Sequence, residues 1–200
     1  DSEKPLQSAN AQGLRLLQLI NMYERYGEWK RIVRQWVSAL PDTPFRRYAK
    51  ELRSKQDHYG CRIIEEVMSD ENYAVIYRMV CEELGLKDGV EVAILVVRLP
   101  LNWKLSRLKG LLGLTPYKNK NYNHKLRTHL TRLAATIYVS NKRYGIGAKL
   151  FENISRVPQD KALYALQLRI LKKILKKAWQ QQQNNVCWPV GSKSYEGLVA

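Results

Sequence analysis

Apolar residues recur along this chain at helical spacing. Leu14, Leu17, Ile20 and Tyr23 fall on successive turns, Leu16 and Leu19 widen the stripe, and Ser8 stands where it can cap such a helix. Residues 1 to 8 read as a polar, disordered lead, and Gly27 as a dent. A second set, Trp29, Ile32, Val33, Trp36, Val37 and Leu40, stops at Pro41. The two sets predict a helical hairpin or one bent helix, suited to packing on itself or on a second copy. Asp42 or Thr43 then caps a segment with Pro44 in its first turn, running through Phe45, Tyr48 and Leu52 to a further stripe at Ile63, Ile64 and Val67. Ser69 or Asp70 restarts the pattern, which keeps helical spacing from Tyr73 to Leu84 and meets a C-cap at Gly85.

Residues 85 to 90 form a tight turn. The apolar run Val90 to Val97 is too short for its length alone to separate strand from buried helix, but no second strand-like run exists to pair with it, so a helix is predicted. Pro100 ends it, Asn102 caps the next helix, and Trp103, Leu105, Leu108, Leu111 and Leu112 give that helix its inner face. Helix, glycine turn, helix is compatible with a helix-hairpin-helix, in which turn N–H groups and nearby cations hold a phosphate. A basic, amide-rich loop follows over 113 to 123. His124 to Tyr138 then places Leu126, Leu130, Leu133 and Ile137 inward, leaving Lys125, Arg127 and Arg132 to face out. Residues 141 to 147 read as a second basic loop. Pro158 opens a last helix with Leu163, Leu166, Ile170 and Ile174 inside. The fold class expected is all-α, a multi-helix bundle with a helix-hairpin-helix-like element. Its parts are a helical scaffold at 1–85 open to dimerisation, a basic nucleic-acid-binding domain at 86–180, and a flexible tail at 181–200.

Charge changes this picture. The chain carries a formal +16, and residues 92 to 151 hold twelve Lys and Arg with no Asp or Glu. A solvated face normally mixes signs to limit self-repulsion, so sixty residues without a carboxylate point to a polyanionic partner. Residues 1 to 91, with fourteen basic and fifteen acidic side chains, read as scaffold rather than electrostatic reader. The candidate nucleic-acid contacts are Lys104, Arg107, Lys109, Tyr117, Lys118, Lys120, Tyr122, Lys125, Arg127, Arg132, Lys142 and Arg143. Cations supply phosphate contacts, and the tyrosines supply stacking or sugar contacts.

No catalytic constellation emerges. The basic segment lacks the carboxylates of a two-metal nuclease, and no Walker A, HExxH or GxSxG motif occurs. Ser106, Ser140 and Tyr117 are conceivable nucleophiles near cations, each with a simpler role in packing, capping or phosphate contact. Cys61, Cys81 and Cys187 fit neither a disulfide framework nor a metal knuckle, and His124 and His129 diverge on a helix, so no metal or cofactor is expected. No signal peptide and no membrane span are expected either, and the location expected is cytoplasmic, associated with the nucleoid.

The run Ser106-Arg107-Leu108-Lys109-Gly110-Leu111-Leu112-Gly113-Leu114-Thr115-Pro116, a basic loop, then Lys125-Leu126-Arg127-Thr128-His129-Leu130 resembles the C-terminal domain of DEDD-type insertion-sequence transposases, the bridge-RNA-guided recombinases. Residues 144–151 and 162–179 continue the same order. That family places its nucleophilic serine in a Gly- and Ser-rich loop just after Gly-Leu-Thr-Pro, whereas Tyr117 to Asn123 contains neither residue type, and the family's acidic nuclease-like domain is absent from these 200 residues. The resemblance therefore implies a transposase-derived, non-enzymatic DNA binder that grips phosphates with low sequence specificity. The expected partner is double-stranded DNA, with a homodimer through the N-terminal helices as an open option. The alternatives are an active transposase or recombinase fragment using Ser106 or Tyr117, and an RNA-binding subunit of a ribonucleoprotein.

Overall fold

The computed structural model describes residues 4–40, 44–115, 121–145, 150–152, 154 and 158–185. Among them lie seven helices and no strand: α1 (Lys4–Ala39), α2 (Phe45–Ser69), α3 (Glu71–Leu84), α4 (Val90–Arg98), α5 (Leu105–Leu111), α6 (His124–Tyr144) and α7 (Gln159–Asn185). The protein is all-α. No helix among the described residues is long and apolar enough to cross a membrane.

Of the two readings of residues 14 to 40, the single helix holds. It starts at Lys4, which corrects the expected polar lead over 4–8, and the hairpin is made with α2. The register is antiparallel. Trp36 meets Phe45 near the turn, with ring centroids 5.4 Å apart, and Tyr26 stacks on Tyr59 halfway along. Arg15 reaches Glu66 at 2.8 Å near the base. Gly27 costs α1 roughly 0.5–1 kcal/mol against alanine, yet a Cβ there would stand 2.6 Å from Gln56 Nε2. The glycine is what lets the buried Gln56 side chain of α2 lie against α1, where it donates to the Tyr23 carbonyl at 3.5 Å and accepts from Lys30.

Local signals set the other boundaries. The Asp70 carboxylate caps α3 by accepting from the N–H groups of Asn72 (2.9 Å) and Tyr73 (3.1 Å). Gly85 closes α3 at φ 69°, a left-handed conformation that glycine adopts without the Cβ penalty. Residues 92–97 of α4 are apolar on all sides because the helix is central: Val92 to Val96 are at most 1% exposed, with α2, α3 and α6 packed around them. One contiguous core draws Ile20, Ile63, Val80, Ile94, Leu130 and Ile170 from α1, α2, α3, α4, α6 and α7, so it runs through both sides of residue 85. Val33 and Leu52, buried against each other's helix toward the hairpin turn, lie outside that core, and the distal hairpin stands clear of the bundle.

Three boundaries differ from expectation. Lys104, not Asn102, occupies the cap position of α5, with no side-chain hydrogen bond to the helix. Asn141 to Tyr144 are the last turn of α6, ended by Gly145 at φ 68°, rather than a loop. The glutamine-rich run continues α7 to Asn185.

Candidate nucleic-acid interface

Tyr23, Gly27, the adjacent pair Lys30 and Arg31, Arg34 and Ser38 follow at steps of three or four residues and so share one side of α1. With Gln56 and Asp57 of α2, Glu91 of α4 and Arg132 of α6, they line a cavity of about 580 Å³. A second cavity of about 380 Å³ shares Gly27, Arg31 and Arg132 and continues to Glu24, Arg25, Glu28, Lys125, Thr128 and His129. The two make one open groove along α1, walled by α6. Among the described residues, no carboxylate pairs with Arg25, Arg31 or Arg34. Burial first, and then the neighbouring Arg34 guanidinium, hold the Lys30 ammonium below its ordinary pKa, with Arg132 and Arg53 adding to the effect against Asp57. The groove thus gathers more cations than carboxylates, with Glu24, Glu28, Asp57 and Glu91 offsetting part of its positive charge.

Its inner end is a buried ionic knot. His129, 2% exposed, stands between two carboxylates: Nδ1 bonds Glu91 Oε2 and Nε2 lies 3.1 Å from Glu24 Oε1. With an acceptor at each ring nitrogen the imidazole is satisfied only as the doubly protonated cation. Burial opposes that charge, and the two carboxylates together overcome it and raise the His129 pKa. Glu24 also takes Arg98 Nη1 at 2.5 Å, and Lys125 Nζ stands 3.0 Å from its Oε2 at ion-pair distance without hydrogen-bond alignment. Burial pushes the Glu24 pKa up, but His129, Lys125 and Arg98 outweigh it and bring it down to about 2. Glu91 accepts from the Tyr23 hydroxyl at 3.2 Å and lies 3.9 Å from Arg132.

The residues expected to read nucleic acid are distributed more widely than one face. Taking 100° per residue, Lys125, Arg132 and Arg143 lie within about 20° of one another on α6, while Arg127 and Lys142 are turned from Lys125 by about 160° and 100°. Lys125 and Arg132 reach the groove, tethered to Glu24 and Glu91. Arg127, expected to face out, is half-buried, and its Nη1 donates to the carbonyls of Leu112 (3.1 Å) and Gly113 (3.5 Å). It ties the turn after α5 to α6. Arg107 lies 3.8 Å over the Trp103 ring, beside exposed Lys104 and half-buried Lys109 on and next to α5. Lys142 and Arg143 are exposed at the far end of α6, with Lys142 4.8 Å over Tyr138. Tyr122 packs on Gly113, where a Cβ would meet its ring at 2.8 Å. Tyr117, Lys118 and Lys120 lie outside the described residues.

Three N–H groups of the turn between α3 and α4 are bonded within the protein: Gly85 donates to Glu82, Leu86 to Cys81 and Gly89 to the Tyr77 hydroxyl. Sequence reasoning missed the α1 cations because residues 1 to 91 are balanced only on average. Residues 25 to 56 hold nine basic and three acidic side chains, and the remainder of that half five and twelve. A shorter charge window would have found them. No protein-family model, curated protein or solved structure matches this chain.

Proposed function

We propose that this chain binds DNA by its phosphate backbone, with little sequence preference, and does no chemistry on it. The observation that carries the reading is the α1–α6 groove, in which Lys30, Arg31, Arg34 and Arg132 converge on one opening while Arg31 and Arg34 have no carboxylate partner among the described residues. Guanidinium groups present paired donors that match phosphate oxygens, which favours a phosphodiester over a diffuse anion. Glu91 and Asp57 at the same opening temper the charge, and Arg25 and Lys125 extend it. Lys104, Arg107, Lys109, Lys142 and Arg143 are secondary contacts in this reading. The groove, rather than a helix-hairpin-helix turn, holds the phosphates. The likeness of residues 105 to 138 to transposase C-terminal domains favours DNA as the polyanion and gives no ground for strand exchange.

Fluorescence anisotropy with a labelled duplex tests it. Four neutralised phosphates imply a loss of affinity on the order of 100-fold between 50 and 200 mM salt. Arg31→Gln with Arg34→Gln should weaken unrelated duplexes equally and flatten the salt slope by about 2. A binding constant insensitive to salt, or one untouched by the double substitution, refutes the groove. Tighter binding of structured RNA than of duplex in competition would redirect the reading to a ribonucleoprotein subunit.

A further inference from the structure

The side of the distal hairpin turned away from the groove has its own character. Trp29 and Trp36, two helical turns apart, are 45% and 48% exposed, and Tyr48 on α2 is 47% exposed. On α1 these rings are turned from Arg34 by roughly 140° and 160°, so they belong to a different surface. They are held as platforms: Tyr26, stacked on Tyr59, meets the Trp29 ring edge-on at 5.3 Å, and Phe45 supports Trp36 at 5.4 Å. Cations flank them, Arg25, which also borders the end of the groove, one turn before Trp29 and Lys55 two turns after Tyr48, in the segment with nine basic and three acidic residues.

What covers this face follows from its charge and shape. A second copy would press two such cationic tips together, like against like. A bilayer offers hydrocarbon to aliphatic side chains, and apart from Leu40 the exposed large apolar residues of the tip are aromatic. Flat rings beside guanidinium and ammonium groups suit unpaired bases, whose faces are hidden in a duplex, with phosphates on the flanking cations. We infer that the outer face of the hairpin tip takes single-stranded nucleic acid, bases stacking on Trp29, Trp36 and Tyr48 while Arg25 and Lys55 meet the backbone. This rests on the nucleic-acid reading above and adds a strand class and a second surface to it.

The test compares a labelled oligothymidylate with a duplex of equal length on the full chain. Trp29→Ala with Trp36→Ala lowers single-strand affinity on the order of tenfold per ring and leaves duplex affinity within about twofold. The Trp→Phe pair retains most of the binding, and Tyr48→Ala, which disturbs no ring contact among the described residues, gives the same direction if the tryptophan variant melts early. Single-strand affinity unmoved by these alanines overturns the inference. So does tryptophan emission that shifts with phosphatidylserine vesicles but not with the oligonucleotide. If duplex binding still depends on Arg31 and Arg34 in that case, only the inference has failed; if the chain binds neither strand form, the proposed function has failed with it.

Discussion

Replacing His129 by leucine probes the ionic knot that ties α1, α4 and α6 together. Glu24 would keep Arg98 at 2.5 Å and Lys125 at 3.0 Å. Glu91 would keep only the Tyr23 hydroxyl at 3.2 Å and Arg132 at 3.9 Å, so the deficit falls mainly on that carboxylate. Removing one partner of a buried ion pair costs about 3–5 kcal/mol, and the support left to Glu24 argues for the lower end, about 3 kcal/mol. In a chain of this size that is a fall in Tm of roughly 6–12 °C. Urea denaturation at unchanged m-value measures it. Adding Glu91→Leu removes the stranded charge, and the double variant should regain most of the loss, since apolar replacement of a buried pair is often neutral. A single-variant loss below about 1 kcal/mol, or a double variant no better than the single, would refute the account of the knot.

The same knot sets a pH signature. Glu91 and Glu24 raise the His129 pKa, so the folded chain holds a proton that the unfolded chain releases near its ordinary value of 6.5. Its contribution is complete below about pH 6.5 and is lost as pH rises through the folded value. Glu24 runs oppositely: lowered from 4.5 to about 2, it contributes fully above 4.5 and loses that contribution as pH falls toward 2. Stability from these two groups therefore peaks between about pH 4.5 and 6.5. In the His129→Leu variant the decline on the alkaline side should flatten, which denaturation at pH 6 and pH 9 can check.

Three further outcomes follow from single contacts. Arg127→Ala, which strips the Leu112 and Gly113 carbonyls of their donor, should cost about 1–3 kcal/mol in denaturation while leaving duplex affinity within about twofold. Equal loss of affinity would return Arg127 to the interface. Asp70→Ala removes the cap of α3 and should cost about 1 kcal/mol, seen as a Tm lower by roughly 2–4 °C. Gly113→Ala combines a φ of 62° with a Cβ 2.8 Å from the Tyr122 ring. It should cost more than the roughly 1–2 kcal/mol of the left-handed backbone alone, and calorimetry showing less would mean that Tyr122 moves aside freely.

Helices were legible because their signals are local. Asp70, Gly85 and the stripe from Leu126 to Ile137 can each be read within a few residues, and all stand in the structure. Gly27 misled because propensity counts its missing side chain as a cost, while its use, admitting Gln56 against α1, depends on a residue 29 positions away. His129 is the stronger case. Its partners Glu24 and Glu91 are 105 and 38 residues distant, and no pattern within its own helix distinguishes it from a histidine on a solvated face. Charge failed for a different reason: summing over contiguous sequence treats a helix as if it had one side, and α6 sends Arg127 to a carbonyl pair while Lys125 and Arg132 go to the groove.

The acidic residues of the first half decide how the cationic segment can be used. Groove cations matched by Glu24 or Glu91 serve folding first, and the proposed polyanion would draw mainly on those that are not. Glu24 and Glu91 engage Arg98, Lys125, Arg132 and a charged His129, so their charge is consumed within the knot. Arg31 and Arg34, on the same wall of the groove, have no such partner among the described residues. Losing Lys125 or Arg132 therefore changes two things at once, stability through the knot and potential in the groove, whereas Arg31 and Arg34 change only the second. Comparing Arg132→Gln with Arg31→Gln in both denaturation and duplex binding separates the two roles. Destabilisation is expected for Arg132 alone and weakened binding for both, and equal stability of the two variants would mean that α6 is not held by the acids of α1 and α4.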